Sequence, residues 1–309
     1  MKATAAAHAN IALVKYWGKR DDALVLPEAG SLSVALDKLL TTTTVTLGDF
    51  DEDTFTLDGR AEDPRRARAL LDAAGISGRA RIDSRNEFPT AAGLASSSSG
   101  FAALAVAACA AAGLQKSVAE LSALARLGSG SAARSVPGGW AVWEGESARQ
   151  VFPPSHWDLR FCVAVCSAGS KQVGSRDGMR LTRETSPYHA AWIAQCRRDL
   201  PAALHLLSAR DLPGLGALAE RNALRMHADA LGADPPLLYW QPATVGCLLA
   251  LTELRGKGVE AWGTIDAGPH LVVMCRPDAA PAVEESLRSV SGVIDVLVCA
   301  PAGPARVLP

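Results

Sequence analysis

The sequence predicts an α+β protein of two domains, on three observations. Its 309 residues exceed the roughly 100–200 of an ordinary single domain. Candidate strands and helices alternate irregularly, which favours segregated layers over a doubly wound parallel sheet. The texture also changes at the strand Arg160 to Cys166, from strand-rich before it to helical after it. The expected division is therefore 1–160 and 161–309.

The elements follow in order. Ala3 to Val14 mixes small and β-branched residues and runs into the aromatic and basic cluster Lys15-Tyr16-Trp17-Gly18-Lys19-Arg20. Thr41 to Leu47 alternates as a β-rich strand, with shorter strands at Phe55 to Leu57 and Ala80 to Ile82. Between those two, Arg65 to Ala74 has helical composition. The breaker-rich Asn86 to Thr90, then Ala92-Gly93-Leu94-Ala95 and Ser96 to Ser99, form a loop feeding a buried, Ala-rich helix over Gly100 to Ala112. Val118 to Leu127 is a further helix, stopped by Gly128, and Trp140 to Trp143 a strand. After Arg160 to Cys166 come helices at Pro187 to Ser208, Leu212 to Leu231 and Pro236 to Arg255. Strands at Ala261 to Ile265 and Leu271 to Cys275, a helix from Pro281 to Val290 and a strand from Val293 to Val298 close the chain. No repeat of fixed period occurs.

Composition removes several function classes. With 31 Lys+Arg against 32 Asp+Glu, the net charge of −1 excludes a strongly basic nucleic-acid binder and an acidic disordered tail. The longest apolar candidate, Phe101 to Leu114, is too short to span a bilayer, and residues 1–15 lack the apolar core of a signal peptide. Seven cysteines without a C-x-x-C pair are expected to be reduced core thiols of a cytoplasmic protein. The P-loop, dinucleotide-binding and nucleophile-elbow patterns are all absent. Six histidines show no metal-ligand spacing, so no protein ligand to a metal is assigned.

Five segments carry chemistry. In Pro89 to Gly100, a glycine and small hydroxyl residues at a helix start present backbone N–H groups and the positive end of the helix dipole, which suit phosphate. Gly128 to Ser135 offers hydroxyls and one guanidinium, Arg134, able to grip a carboxylate or phosphate with two hydrogen bonds. Lys15 to Lys19 brings two cations and the Tyr16 phenol together, and Ser175-Arg176 adds further donors. Asp266, at a strand end before Gly268-Pro269, is either a general base or a turn cap. Together they predict a substrate with more than one anionic group.

These segments resemble the galactokinase/homoserine kinase/mevalonate kinase/phosphomevalonate kinase (GHMP) superfamily, and within it the diphosphomevalonate decarboxylase family. The loop Pro89 to Gly100 resembles the superfamily's phosphate loop. Ala7 to Ala12 with Lys15 to Lys19, Ser31 to Val34, Gly128 to Ser135, Ser175-Arg176 with Gly178-Met179, Thr185 to Pro187, and Asp266 to Pro269 match the family in order. The resemblance implies an N-terminal domain like ribosomal protein S5 domain 2, a ferredoxin-like C-terminal domain, and a site in the cleft between them. It implies ATP and Mg2+, phosphorylation of the 3-hydroxyl of mevalonate 5-diphosphate, then loss of phosphate and CO2 to give isopentenyl diphosphate, by a homodimer. A 5-phosphate decarboxylase, or a 3-kinase that stops before decarboxylation, are the alternatives.

Carried over by motif, Asp266, Lys15 and Arg134 would be catalytic. Tyr16, Lys19, Ser129, Ser131, Ser175 and Arg176 would hold the diphosphate end. Asn10, Gly93, Ala95 and Ser96, Ser97, Ser98 and Ser99 would contact ATP. Two segments depart from the family pattern, Pro27-Glu28-Ala29-Gly30 before Ser31 and Ala133 beside Arg134, and either one can alter the fit of the substrate.

Overall fold

A computed structural model describes residues 1–88, 96–167, 169 and 173–309. β1 (Lys2–Val14) runs into a short hairpin, β2 (Lys19–Asp21) and β3 (Leu26–Pro27), then returns as β4 (Ser31–Gly48), antiparallel to β1. Only the second half of β4 shows the expected alternation, with Thr41, Thr43 and Val45 buried and Thr42 and Thr44 half-buried. Its first half, from Ser31 to Leu36, is buried on both faces, so no period-two pattern marked it as strand. β5 (Thr54–Leu57) and β6 (Arg60–Glu62) form the far edge, followed by α1 (Arg65–Ala73) and β7 (Arg79–Asn86), which joins β4 to β5.

The Ala-rich α2 (Ser96–Ala111) is buried nearly all round, which requires small side chains wherever sheet and helices press close. α3 (Val118–Gly128) begins with a capping box between Ser117 and Glu120. The short α4 (Ala132–Ser135) leads to the hairpin β8 (Trp140–Glu144) and β9 (Ser147–Phe152), and β8 pairs with β4.

β10 (Arg160–Val165) opens a second, four-stranded sheet. After it come α5 (Ser175–Thr185), α6 (His189–Ala209), α7 (Leu212–Leu231) and α8 (Pro242–Gly256). The sequence reading missed α5 because its composition is hydrophilic and only Gly178, Met179 and Thr182 are buried. α8 starts at Pro242, later than expected, where Gln241 and Thr244 make a capping box and proline occupies the first turn. β11 (Ala261–Ile265), β12 (Leu271–Cys275), α9 (Ala280–Arg288) and β13 (Asp295–Cys299) complete an antiparallel sheet of order β11-β12-β10-β13.

The chain then turns back. β14 (Arg306–Val307) pairs with β1 at Ala5 and Ala6, and Leu308 N–H donates to Thr4 O at 2.8 Å. Along the way Ala302 N–H donates to Ala35 O and Ala305 N–H to Val136 O. One apolar core runs through Leu13 and Leu32 of the first sheet, Phe161 of the second, and Trp192 and Met226 of α6 and α7.

Candidate active site

A cavity of about 450 Å3 lies where the end of β1, the start of α5 and the loop after β11 converge. At its floor, Lys15 Nζ sits 2.5 Å from Asp266 Oδ1 and donates to Ala12 O at 2.8 Å. Lys15 is 2% exposed, and burial pulls its ammonium below the ordinary lysine range while Asp266 opposes that pull. Asn222 Oδ1 on α7 fixes the Lys15 backbone N–H at 2.8 Å.

Arg134 is equally buried. Its Nε donates to Asn10 Oδ1 at 3.1 Å and its Nη1 to Ser31 Oγ at 2.6 Å, and among the described residues no carboxylate lies within ion-pair distance. Burial lowers its guanidinium to about 10, against the attraction of Asp266. Lone arginines with a fork of donors facing a cavity suit a bound carboxylate. Asn10, expected at ATP, has its amide committed within the protein: it accepts from Arg134 and donates to Ser131 O and Ser135 Oγ.

Tyr16 stacks edge-on against Trp143, and its buried hydroxyl has no partner among the described residues. Burial pushes that phenol well above its ordinary range, so it stays a neutral donor. Gly130 makes room for it, since a Cβ there would lie 2.6 Å from the Tyr16 oxygen. Lys19 is 3% exposed and pairs with Asp22 at 3.1 Å. Ser129 and Ser131 share a hydroxyl contact of 3.3 Å, and Ser175 and Arg176 line the opposite wall at the start of α5.

Among the serines of the phosphate loop the structure separates the side chains. Successive residues of a helix point about 100° apart, so four neighbours cannot share one face. Ser97 lines the cavity, 3.2 Å from Ser129 Oγ. Ser98 and Ser99 are fully buried, and Ser99 is bound to Thr41 Oγ1 at 2.6 Å and to Ser96 O at 3.2 Å. Ser96 lies outside the lining, while Gly93 and Ala95 lie outside the described residues.

Of the two departures from the family pattern, Ala133 is fully buried against Trp143, and residues 27–30 are not among the residues lining the cavity. Conversely, Arg66 lines the cavity beside Ser97 and Arg176, donating to Gly128 O and lying 4.6 Å over the Phe101 ring. Burial lowers its guanidinium to about 10, and repulsion from Arg176 adds to this. Two guanidiniums this close are a place for an anion. A polar helix start in the sequence carried no mark of Arg66.

An S5-like sheet and a ferredoxin-like sheet around a cleft of anion-binding groups form the GHMP kinase fold. Residues 7–151 match the diphosphomevalonate decarboxylase-like N-terminal domain, and residues 161–298 the mevalonate 5-diphosphate decarboxylase C-terminal domain. The chain belongs to the diphosphomevalonate decarboxylase family. It is 38% identical to human diphosphomevalonate decarboxylase over 89% of this chain and 77% of that one. With the Candida albicans enzyme it shares 35% identity over 88% and 83%. The crystal structure of mevalonate diphosphate decarboxylase from Staphylococcus aureus superposes with TM-score 0.94 at 36% identity, covering 100% and 98% of the two chains. A structure of MDDEF in complex with MVAPP, AMPPCP and magnesium gives TM-score 0.93 at 36% identity, covering 100% and 99%.

Proposed function

We propose that this chain converts mevalonate 5-diphosphate and ATP to isopentenyl diphosphate, ADP, phosphate and CO2. The carrying observation is the Lys15–Asp266 pair facing Arg134 in one cavity whose walls bring Lys19, Arg176 and Arg66. Membership of the decarboxylase family and likeness to a complex with MVAPP and an ATP analogue support the reading.

Asp266 accepts the hydrogen bond of the tertiary 3-hydroxyl as its oxygen attacks the γ-phosphorus and ADP leaves. Proton transfer comes late, as the bond to phosphorus develops, so alignment and charge stabilisation carry most of the rate. The C3–O bond then breaks with departure of phosphate, the bond to the carboxylate breaks with it, and its electrons form the alkene as CO2 leaves. Arg134 orients that carboxylate. Lys19, Tyr16, Ser129, Ser131, Ser175 and Arg176 bind the diphosphate, and Ser97 and Arg66 the nucleotide phosphates. Asn10 orients Arg134.

The polar lining offers oxygen donors and no imidazole or thiol, which suits a hard cation, and the described residues include no cluster of three metal-ligating side chains. Mg2+ would therefore be held chiefly by phosphate oxygens and water beside Ser97 and Asp266, supplying charge neutralisation. We keep 1–160 and 161–309 as the two domains. The resemblance supports a homodimer, and seven free buried cysteines support a cytoplasmic setting.

The test is one assay with Mg-ATP and mevalonate, its 5-phosphate or its 5-diphosphate, following ADP, phosphate and CO2 together. Equal release of all three with the diphosphate is expected. ADP without CO2 would make the protein a kinase, and CO2 with the monophosphate alone would change the substrate.

A further inference from the structure

Glu28, which departs from the family pattern, points away from the cavity toward His189. His189 is the first residue of α6 and shares one helical face with Trp192, Ile193 and Cys196. Its ring lies between two carboxylates from other segments. Nδ1 is 2.8 Å from Asp229 Oδ2 on α7, and Nε2 is 3.3 Å from Glu28 Oε2 beside the β2–β3 hairpin. Asp229 is fully buried, and its Oδ1 has no partner among the described residues. A carboxylate so enclosed needs a cation as its one partner, which the imidazolium supplies.

The cluster holds the base of the hairpin. Glu28 N–H donates to Gly18 O at 3.1 Å, and Trp192 Nε1 donates to Trp17 O at 2.8 Å. Gly18 takes φ +135°, and a Cβ there would lie 3.2 Å from both Glu28 Oε2 and His189 Cε1. The adjacent pairing of Lys19 with Pro27 starts the hairpin that presents the Lys19 ammonium to the cavity. Among the described residues, the charged groups around His189 are Asp229 from α7, Glu28 from the hairpin, and Arg197 of α6, which reaches the Glu28 backbone O at 3.4 Å.

We propose that His189 is a positioning residue for the phosphate end of the substrate, tying the Lys19 hairpin to α6 and α7 as an imidazolium between Glu28 and Asp229. This rests on the assignment of Lys19 to the diphosphate. A neutral imidazole has one N–H, and the buried Asp229 keeps it, which leaves the Nε2 lone pair facing the Glu28 carboxylate. The hairpin base then loosens. Burial disfavours the charged ring, but Asp229 and Glu28 outweigh it and hold its titration above the ordinary histidine value. Asp266 and Arg134 stand on other segments, and Lys15, though it precedes the hairpin, is fixed by Asp266, Ala12 O and Asn222, so binding of the diphosphate is affected and turnover is not.

The experiment measures KM for mevalonate 5-diphosphate and kcat from about pH 6 to 9.5 for the wild type, His189→Gln and Glu28→Gln. Tryptophan-fluorescence titrations with inorganic pyrophosphate run in parallel. In the wild type KM should rise about tenfold and pyrophosphate affinity fall about tenfold as His189 deprotonates, with kcat flat. Both variants should bind weakly at low pH and lack that step. Loss at higher pH shared by all three proteins belongs to Lys19, whose ammonium burial also pulls down. Wild-type pH profiles in both variants would overturn the proposal. Glu28 is partly exposed, so Glu28→Gln decides the matter even where His189→Gln fails to fold. Absence of turnover with mevalonate 5-diphosphate would remove the proposed activity, while the pyrophosphate titration would still test His189.

Discussion

Lys15 Nζ and Asp266 Oδ1 meet at 2.5 Å across 251 residues of sequence, one after the end of β1 and the other after the end of β11. The pair joins the two sheets at the floor of the cavity, so the proposed base exists only when both sheets are in place. Buried at 2% exposure, Lys15 depends on Asp266 for its charge balance, and each residue constrains the other.

Asp266→Asn keeps the shape and removes the carboxylate. We expect kcat for CO2 release to fall about 10²- to 10⁴-fold, the usual worth of a general base, with ATP affinity within a few-fold of wild type. Unchanged CO2 release in a coupled ADP and CO2 assay would remove Asp266 from the chemistry.

Arg134→Lys keeps the charge and loses the fork. A charged hydrogen bond to a buried carboxylate is worth enough that kcat/KM should fall about 10- to 100-fold, while the Kd for ATP barely moves. Steady-state kinetics beside nucleotide titration checks this, and equal losses in both would count against the carboxylate role.

Ser97 and Ser99 separate ligand contact from packing. Ser97→Ala should raise the KM for ATP about three- to tenfold at constant Tm, because its hydroxyl lines the cavity. Ser99→Ala should instead lower Tm by about 2–4 °C, through loss of its bond to Thr41, and leave KM unchanged. The reverse pattern would mean that α2 presents a different face.

Arg66→Ala tests the cation that the sequence concealed. We expect the KM for ATP to rise about tenfold, with a smaller change in the KM for the diphosphate substrate. An ATP KM equal to wild type would leave Arg66 as a packing partner of Phe101.

His227 sets an acid limit. Burial, with Lys15 nearby, lowers its titration to about 4, so the folded protein keeps it neutral while the unfolded chain protonates it near 6.5. Between those values the unfolded chain binds more protons, and stability falls as pH falls. The cost by pH 4 is on the order of 3 kcal/mol. Urea unfolding between pH 7 and 4 should be visibly less pH-dependent in His227→Asn than in the wild type; parallel profiles would refute the assignment.

How much of this was legible depended on whether the signal was local. Leu212–Leu231, Ala261–Ile265 and Leu271–Cys275 fall where the sequence put them, the helix by one apolar face at helical spacing and the two strands as short apolar runs bounded by breakers. The cavity unites Lys15, Lys19, Arg134, Arg176 and Asp266, residues marked by short motifs. Ser96–Ser99 show the limit: four hydroxyls are equivalent on paper, and only the rotation of α2 separates Ser97 from Ser99. Arg66 and the His189 cluster stayed hidden because no local pattern links residue 66 with 176, or 28 with 189 and 229. Even the departure at Glu28 was legible as a difference but not as a contact.

The return of residues 300–308 along β1, β4 and the Pro137 turn has a consequence for synthesis. During vectorial translation the first sheet emerges early, yet the backbone groups of Thr4, Ala5 and Ala6 meet these partners only when residues 306–308 have left the ribosome. Until then β1 presents an open edge of small residues, the kind of surface on which nascent chains associate. The first sheet therefore cannot be completed before the second has been made, because the strand that closes its edge follows the second sheet in the chain.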